Sequence, residues 1–399
     1  MNGIQTTLST PLTRPQLAET PAAAPRADVA GVAVETRAAA AQGPELSALN
    51  TAQGKADALR QANETVRRVV EGQTAYESKL ADQRWQAAIA KDKSEPPPPA
   101  ERAAFQRGAL TRALDQARDT QTLTTQQLSG SLNSVAQSGY VMSAEQKSKL
   151  QADIADTLAD APPTAREFAA PMLYSAPAPG ATGDVISDRE LWEMIGDSIG
   201  NIKDGYLGVY ENVVGKYIEF YQEFSDILSQ MADWISSNDK GDKVTLSVGE
   251  LYDALKQLKA KYENTELFAS TADTPEKAKE EAEKWAAELG LPKECVKEQP
   301  KGSGRYVVVI DTGPVQEMMT ALEKLAGGVP AKDKKVEMDN AKFQAWQSGF
   351  KAQEENLKNT LQTLTQKYSN ANSLFDNLVK VLSSTISSCT ETAKSFLQG

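Results

Sequence analysis

The stretch FQAWQSGFKAQEENLKNTLQTLTQKYSNANSLFDNLVKVL, residues 343–382, decides the fold of this 399-residue chain. Its apolar and aromatic side chains recur at steps of three and four, which places them along one face of an α-helix. No proline or glycine interrupts residues 350–398. At 1.5 Å per residue, a helix over residues 339–397 would be a rod of roughly 85 Å. Such a rod needs a partner along its length, which predicts a coiled coil.

Residues 187–238 show the same apolar spacing and supply that partner. Ser187 and Glu190 form a capping-box pattern that opens this helix. Both long helices contain successive steps of four, a stutter that locally unwinds a left-handed supercoil. The two stutters fall at similar heights if the helices are antiparallel, so we predict an antiparallel intramolecular coiled coil. Its predicted core consists of Ile199, Tyr206, Val213, Phe220, Phe224, Phe350, Leu357, Leu364, Phe375 and Leu382.

The region before the coil divides into three parts. Residues 1–44 are rich in Ala, Pro and Thr and contain few large apolar side chains, so we predict that they are disordered. Helical spacing on both sides of Pro96–Pro99 predicts an N-terminal helical hairpin, followed by a short helix, within residues 45–160. Residues 161–186 contain five prolines and are predicted to be a linker.

Residues 239–338 differ from the long helices that flank them. They alternate short helical patterns with strand patterns, of which Tyr306–Ile310 is the clearest. Ser247 with Glu250 has the capping-box spacing at a helix start, and Thr312 stands where it can cap another helix. We therefore predict a small α/β domain inserted between the two arms of the coil, the second arm being residues 339–399. The predicted fold class is mainly α: a long antiparallel intramolecular coiled coil with an N-terminal hairpin and this insertion.

Composition excludes several functions. The net charge of −11 argues against nucleic acid or an anionic membrane surface as the main partner, since both are bound by clustered Lys and Arg. No apolar run approaches the ~20 residues of a membrane span. Histidine is absent, which removes the commonest general base and metal ligand, and Cys295 and Cys389 are far apart in the sequence. We therefore expect a protein that is not an enzyme and holds no metal or cofactor.

Two features have both a structural and a functional interpretation. Val308–Gly313 resembles the active-site signature of an aspartic protease, but no second copy is present to share a proton, so we assign it to a strand end and a helix start. Four glycines lie on residues 187–238 away from the apolar face. They are either tolerated in a long helix or form a thin face for the hairpin or for a separate helical protein. These glycines are Gly196, Gly200, Gly208 and Gly215.

Longer strings of sequence point to one family. The strings are Asp204–Val214, Met338–Lys342 with Trp346–Phe350, and Tyr368–Asn372 continuing into Asp376–Ser384. They closely resemble the needle-tip proteins of type III secretion systems, the invasin D family (the IpaD/SipD/BipD group). The resemblance covers roughly residues 185–399. Over residues 45–160 only the hairpin arrangement is similar.

The resemblance implies a secreted protein at the bacterial surface that caps the secretion needle, controls secretion and supports assembly of the translocator pore during host-cell invasion. It implies that residues 1–44 carry an export signal and that the hairpin is a self-chaperone. Expected partners are the needle subunit, a helical hairpin protein, together with hydrophobic translocators, further copies of this chain and bile salts. The implied needle-binding residues are Asp376, Asn377, Leu378, Lys380, Ser383 and Ser384.

Two other functions remain as alternatives. A pore-forming translocator of the same system would need membrane-length apolar segments, which the sequence lacks. An injected effector enzyme would need a catalytic constellation, which is difficult to build without histidine.

Overall fold

The computed structural model describes residues 52–90, 100–173 and 187–398. The region predicted to be disordered, residues 1–44, lies outside the described residues, as do Pro96–Pro99 and residues 174–186.

The hairpin consists of helix α1, Ala52–Ala90, and helix α2, Ala100–Gln137. The short helix α3, Ala144–Leu158, follows it. The hydroxyl of Ser143 accepts the backbone N–H of Gln146, and the Gln146 side chain accepts the N–H of Ser143, so α3 begins with a complete capping box.

The predicted linker over residues 161–186 is wrong for its first part. Pro163–Ala169 form helix α4, and Ala170–Leu173 continue it as a 3₁₀ turn. Pro163 occupies the first turn, where its missing N–H has no hydrogen bond to lose. The Met172 side chain is fully buried, so this segment gains apolar burial that its proline content concealed.

The first arm of the coil begins at the capping box of Ser187 and Glu190. It consists of helix α5, Asp188–Asn201, a π-helical segment, Ile202–Leu207, helix α6, Gly208–Gln230, and a 3₁₀ turn, Met231–Trp234.

The prediction of one unbroken helix over residues 187–238 is wrong at two points. The first is the π-helical segment, which widens the helix by one residue in a turn. Gly205 lies in it, and a Cβ there would stand 2.4 Å from Cε1 of Phe168, so the missing side chain allows α4 to pack closely. The second is Ile235–Ser237, which is a strand because it pairs with Val244–Leu246.

The inserted domain contains two three-stranded antiparallel sheets, with strand orders β1-β2-β6 and β3-β5-β4. Its strands are β1 Ile235–Ser237, β2 Lys243–Leu246, β3 Glu266–Ala269, β4 Val296–Glu298, β5 Tyr306–Val309 and β6 Val336–Asp339. Its helices are α7 Val248–Tyr262, α8 Pro275–Leu289 and α9 Gly313–Ala326.

Ser247 and Thr312 stand at helix N-termini, but the side chain of neither residue makes a capping hydrogen bond, so both predicted caps are wrong. At the start of α9 the carboxylate of Asp311 accepts the N–H of Gly313 at 2.8 Å instead. The N–H of Asp311 in turn donates to the Tyr217 hydroxyl at 3.0 Å. The protease-like sequence therefore forms a strand-to-helix turn that is tied to the coil.

The second arm of the coil is helix α10, Asn340–Gln398, an unbroken helix of 59 residues. Near its start the Phe350 ring stacks on Phe224, close to the end of α6, with centroids 6.4 Å apart. Near its other end, burial raises the pKa of the Cys389 thiol, and the charge of Asp188 at the start of α5 adds to this rise, so Cys389 and Asp188 lie close together. The two arms are therefore antiparallel, and the predicted fold class is confirmed.

All ten side chains predicted for the coil core are buried, each with at most 3% of its surface exposed. Some of them also hold the inserted domain. The ring of Tyr206 packs on Trp285 of α8 at 5.9 Å, and the ring of Phe220 packs on Tyr262 of α7 at 5.1 Å. Part of the predicted apolar face therefore attaches the insertion to the rod.

The hairpin completes a four-helix bundle with the coil. Helix α1 runs antiparallel to α10 and makes the most extensive helix contact of α10. Trp85 of α1 lies 5.7 Å from Phe350, and Thr74 is reached by the Gln362 amide at 3.5 Å. Helix α2 lies on the glycine face of the first arm, where Leu132 and Leu114 approach Gly196 and Gly215. The chain's own hairpin therefore occupies the predicted thin face at Gly196 and Gly215, whereas a Cβ at Gly200 would meet no described atom within 4 Å.

Candidate docking surface on the C-terminal helix

The candidate surface lies on α10 over residues 376–384, where helical periodicity separates three kinds of side chain. Leu378 and Leu382 point into the bundle and are completely buried. They fix this part of the helix by apolar packing. Asn377, Lys380 and Ser384 follow one another at steps of three and four on the opposite side and are exposed. These three form a polar stripe that a partner can reach directly.

Asp376 and Ser383 lie between the core and the exposed stripe, seven residues and thus nearly two turns apart on one face. Their exposed fractions are 5% and 7%. The Oδ1 atom of Asp376 and the Oγ atom of Ser383 have no hydrogen-bond partner among the described residues. Burial raises the pKa of Asp376 to about 8; the charge of Arg60 opposes this rise, and that of Asp57 adds to it. Since Arg60 and Asp57 belong to α1, the hairpin covers this flank.

The structure thus separates the six residues that the resemblance implies. Asn377, Lys380 and Ser384 are accessible, whereas Asp376, Leu378 and Ser383 are buried. A partner cannot contact all six while α1 lies on α10. Leu378 in particular is part of the bundle core and supports the surface without forming it.

Sequence reasoning missed the polar side chains with which the hairpin contacts the coil. Gln121 of α2, which is 1% exposed, donates its amide to the Tyr368 hydroxyl at 3.2 Å and also to Oδ1 of Asn372. Arg118 pairs with Glu211 of α6 at 3.0 Å. Burial raises the pKa of Glu211, and the hydrogen bond and charge of Arg118 oppose that rise. These buried polar residues have the spacing of core positions in a helix, but a pattern that is defined by apolar residues alone does not include them.

An open pocket of about 450 Å³ lies between α1, α2 and α10 near the end of the bundle. The Lys55 ammonium lines it together with Gln127, Ser131 and Ile386. Lys55 is 7% exposed, no ion pair joins it to a described residue, and loss of hydration lowers the pKa of its ammonium. The Oε1 atom of Gln127 has no hydrogen-bond partner among the described residues either. The pocket therefore places a buried lysine among mostly polar groups, with Val135 and Ile386 as its apolar side chains.

Comparison with known proteins identifies the family of this bundle. The family described as type III secretion systems tip complex components matches residues 27–397. The chain belongs to this family. The resemblance inferred from the sequence strings is therefore confirmed, and the protein is a tip complex component of a type III secretion system.

Similar proteins agree with this assignment. The chain is 52% identical over 289 residues to the cell invasion protein SipD of Salmonella typhimurium, covering 70% of this chain and 79% of that protein. It is 48% identical over 229 residues to the invasin IpaD of Shigella dysenteriae, covering 57% of this chain and 66% of that protein. A solved structure, the pathogenicity island 1 effector protein of Chromobacterium violaceum, is 50% identical with a TM-score of 0.66 and covers 86% of this chain and 99% of that one.

Membership in the tip complex family assigns this protein to an assembly and not to a reaction. In the part of the chain that the structure describes, no helix combines the length and the apolar character that crossing a membrane requires.

Proposed function

We propose that this tip complex protein caps the type III secretion needle, restrains secretion until host contact, and supports assembly of the translocator pore through which effectors enter host cells. The observation that carries the proposal is the polar stripe of Asn377, Lys380 and Ser384 on α10. It is accessible, lies on a rigid unbroken helix, and borders a flank that the chain itself covers. Family membership supports a location at the bacterial surface, on the needle tip.

The needle subunit, itself a helical hairpin, docks on α10 in this proposal. First contact is with the exposed stripe. Full contact with Asp376 and Ser383 requires α1 to move away, since α1 now occupies the space that a docking helix would take. The hairpin of α1 and α2 then acts as a self-chaperone that keeps this flank from binding other surfaces before the protein reaches the needle. The inserted α/β domain, which packs along the rod beside Tyr206 and Phe220, is left for further copies of the chain and for translocators.

The pocket beside Lys55 supports a further partner. A bile salt is a carboxylate or sulfonate on an apolar steroid body, and the lining of the pocket includes Lys55 together with the apolar side chains of Val135 and Ile386. Burying the lysine costs less when an anion pairs with it. We expect isothermal titration with a bile salt to detect binding in the full chain and to detect none in Lys55→Met, a change that keeps the length of the side chain but removes its charge.

Co-sedimentation with purified needles tests the main proposal. Lys380→Glu reverses the charge in the middle of the exposed stripe and should abolish co-sedimentation without altering helicity. Lys240→Glu is the matched control, because Lys240 is also exposed but lies in a turn against the start of α10, 36 residues of helix before Asp376. Equal binding by both variants would contradict the docking surface.

The same experiment addresses the alternatives. A pore-forming translocator would fail to bind needles and would instead insert into liposomes. An injected effector would do neither and would accumulate inside host cells.

A further inference from the structure

The hairpin buries two acidic side chains of α10. Glu354 is 4% exposed and Asp376 is 5% exposed. One oxygen of each, Oε1 of Glu354 and Oδ1 of Asp376, has no hydrogen-bond partner within the described ranges. They lie 22 residues apart on the same helix, so each of them meets a different part of α1.

The cations near these carboxyl groups are already paired with other acids. Near Asp376, Arg60 pairs with Asp57 on its own helix at 3.3 Å. Near Glu354, Lys351 pairs with Asp82 of α1 at 2.5 Å, and Lys358 pairs with Glu355 at 3.3 Å. The two buried carboxyl groups are thus left without a cation of their own, which is costly when they are charged.

The surroundings add negative charge from more than one helix. Asp376 faces Asp57 and Arg60 of α1. Glu354 and Glu77 of α1 both act on the buried hydroxyl of Tyr221 in α6. The charged and titratable groups around Glu354 are Glu77 and Asp82 of α1, Tyr221 of α6, and Lys351, Glu355 and Lys358 of α10.

Burial and these charges favour the neutral form of both groups. Burial, with a smaller contribution from Asp82, raises the pKa of Glu354 to about 6, although a hydrogen bond with Ser78 opposes the rise. Burial, with a contribution from Asp57, raises the pKa of Asp376 to about 8. If α1 leaves, water returns to both carboxyl groups and their pKa values fall toward about 4.

We propose that docking of the hairpin on α10 is linked to protonation of Glu354 and Asp376, so that acidic solution holds the hairpin in place and ionisation of the two groups loosens it. The proposal rests on the hairpin cover described above, and it makes that cover a pH-dependent one. It names the proton as the ligand that regulates access to the flank of the docking surface.

The direction of the effect follows from proton counting. The docked state binds more protons than the open state wherever the pH lies between the open and docked pKa values of a group. Below about pH 4 both states are protonated and docking does not depend on pH. From there to pH 6 both groups contribute, and from pH 6 to 8 only Asp376 does. Each contributing group weakens docking by up to about tenfold per pH unit.

Hydrogen–deuterium exchange of the full chain tests this linkage. After correction for the intrinsic pH dependence of exchange, protection of the α1 amides should fall by about tenfold per pH unit between pH 6 and 7.5. The amides of α6 serve as the internal reference, because they belong to the coil and should keep their protection. Protection of α1 that is independent of pH would overturn the proposal.

Three variants locate the linkage. Asp376→Asn keeps the shape of the side chain but cannot ionise, so α1 should stay protected at pH 7.5 and its slope above pH 6 should disappear. Glu354→Gln should reduce the slope below pH 6 from about a hundredfold to about tenfold per pH unit and leave the slope above pH 6 unchanged. Glu391→Gln, at an exposed acid of the same helix, should behave as wild type. An unchanged slope in Asp376→Asn contradicts the linkage.

A direct titration protects the test against a variant that does not fold. Carboxyl carbon NMR of the wild-type chain should show Asp376 titrating well above pH 6, and titration near pH 4 would overturn the proposal. Neither measurement involves needles. Failure here therefore leaves needle docking standing, while loss of needle binding with an intact pH slope would reject only the docking.

Discussion

The two interfaces of α10 share Phe350 but differ in how many buried polar side chains line them. Toward α6 it presents Phe350, whose ring stacks on Phe224, and below this a row of aliphatic side chains. Toward the hairpin it presents Asn372 and Asp376 as well as apolar groups. Among the described side chains, nine buried residues of α1 and α2 are polar or charged, against three in α5 and α6.

This difference bears on how easily each interface separates. Opening the α6 interface would expose hydrocarbon to water at about 25 cal/mol per Å². Opening the hairpin interface exposes many amides, hydroxyls and carboxyls that regain hydrogen bonds with water, so their net loss is small. We therefore expect the hairpin interface of α10 to open more easily than its interface with α6. A docking site beneath a removable cover requires this difference.

Removal of the hairpin should have the largest effect. A chain lacking residues 1–130 exposes the flank of α10 and the face of α6 around Gly215 at once, so it should associate with itself. Sedimentation velocity should show larger species for the truncated chain than for the full chain. A monomeric profile for the truncated chain would mean that the hairpin covers no adhesive surface.

The coil interface should be the next most sensitive. Phe224→Ala removes a fully buried ring that stacks on Phe350, and we expect a loss of about 3–5 kcal/mol in the free energy of unfolding. Urea denaturation followed by circular dichroism measures it. Gln344→Ala, at an exposed site of α10, should change stability by less than about 0.5 kcal/mol. A small effect of Phe224→Ala would contradict the greater stability expected of this interface.

The hairpin interface should respond less, and locally. Gln121→Ala leaves the buried Oδ1 of Asn372 without its donor, which costs about 1–3 kcal/mol. Hydrogen exchange should show the loss of protection in α1 and α2, with α6 almost unchanged. Gln126→Ala on the exposed side of α2 is the control. If α6 loses protection equally, the two interfaces open together and the contrast drawn above fails.

The smallest effect is expected where polar groups of the hairpin face water. Arg68 pairs with Glu64 one turn earlier on α1 at 3.0 Å, and both side chains are largely exposed. Arg68→Ala should cost only a few tenths of a kcal/mol, since solvent and salt screen such pairs. A loss comparable to that of Gln121→Ala would show that burial is not what gives the hairpin's polar groups their importance.

Local signals account for the successes of sequence reasoning. The capping box predicted at Ser187 is present, and the same reciprocal pair of residues three positions apart forms at Ser143. The caps expected from Ser247 and Thr312 are absent, because other groups accept the N–H groups at these helix starts. The N–H of Gly249 in α7 donates to the Lys334 carbonyl, and the N–H of Gly313 in α9 donates to the Asp311 carboxylate. Ser247 and Glu250 have the same three-residue spacing as the two boxes that form, so the spacing alone does not decide whether a cap is made.

The sequence by itself determined the long α10, its antiparallel partner, the insertion between them and the family. These follow from apolar periodicity, capping boxes and long matching strings, all of which are read along the chain. Only the tertiary structure decided that Asp376 and Ser383 lie under α1, that Gly205 accommodates Phe168, and that Pro163–Leu173 is helical. Periodicity states which face of a helix is covered but not by which neighbour. The pKa of a carboxyl depends on that neighbour and on the water it excludes.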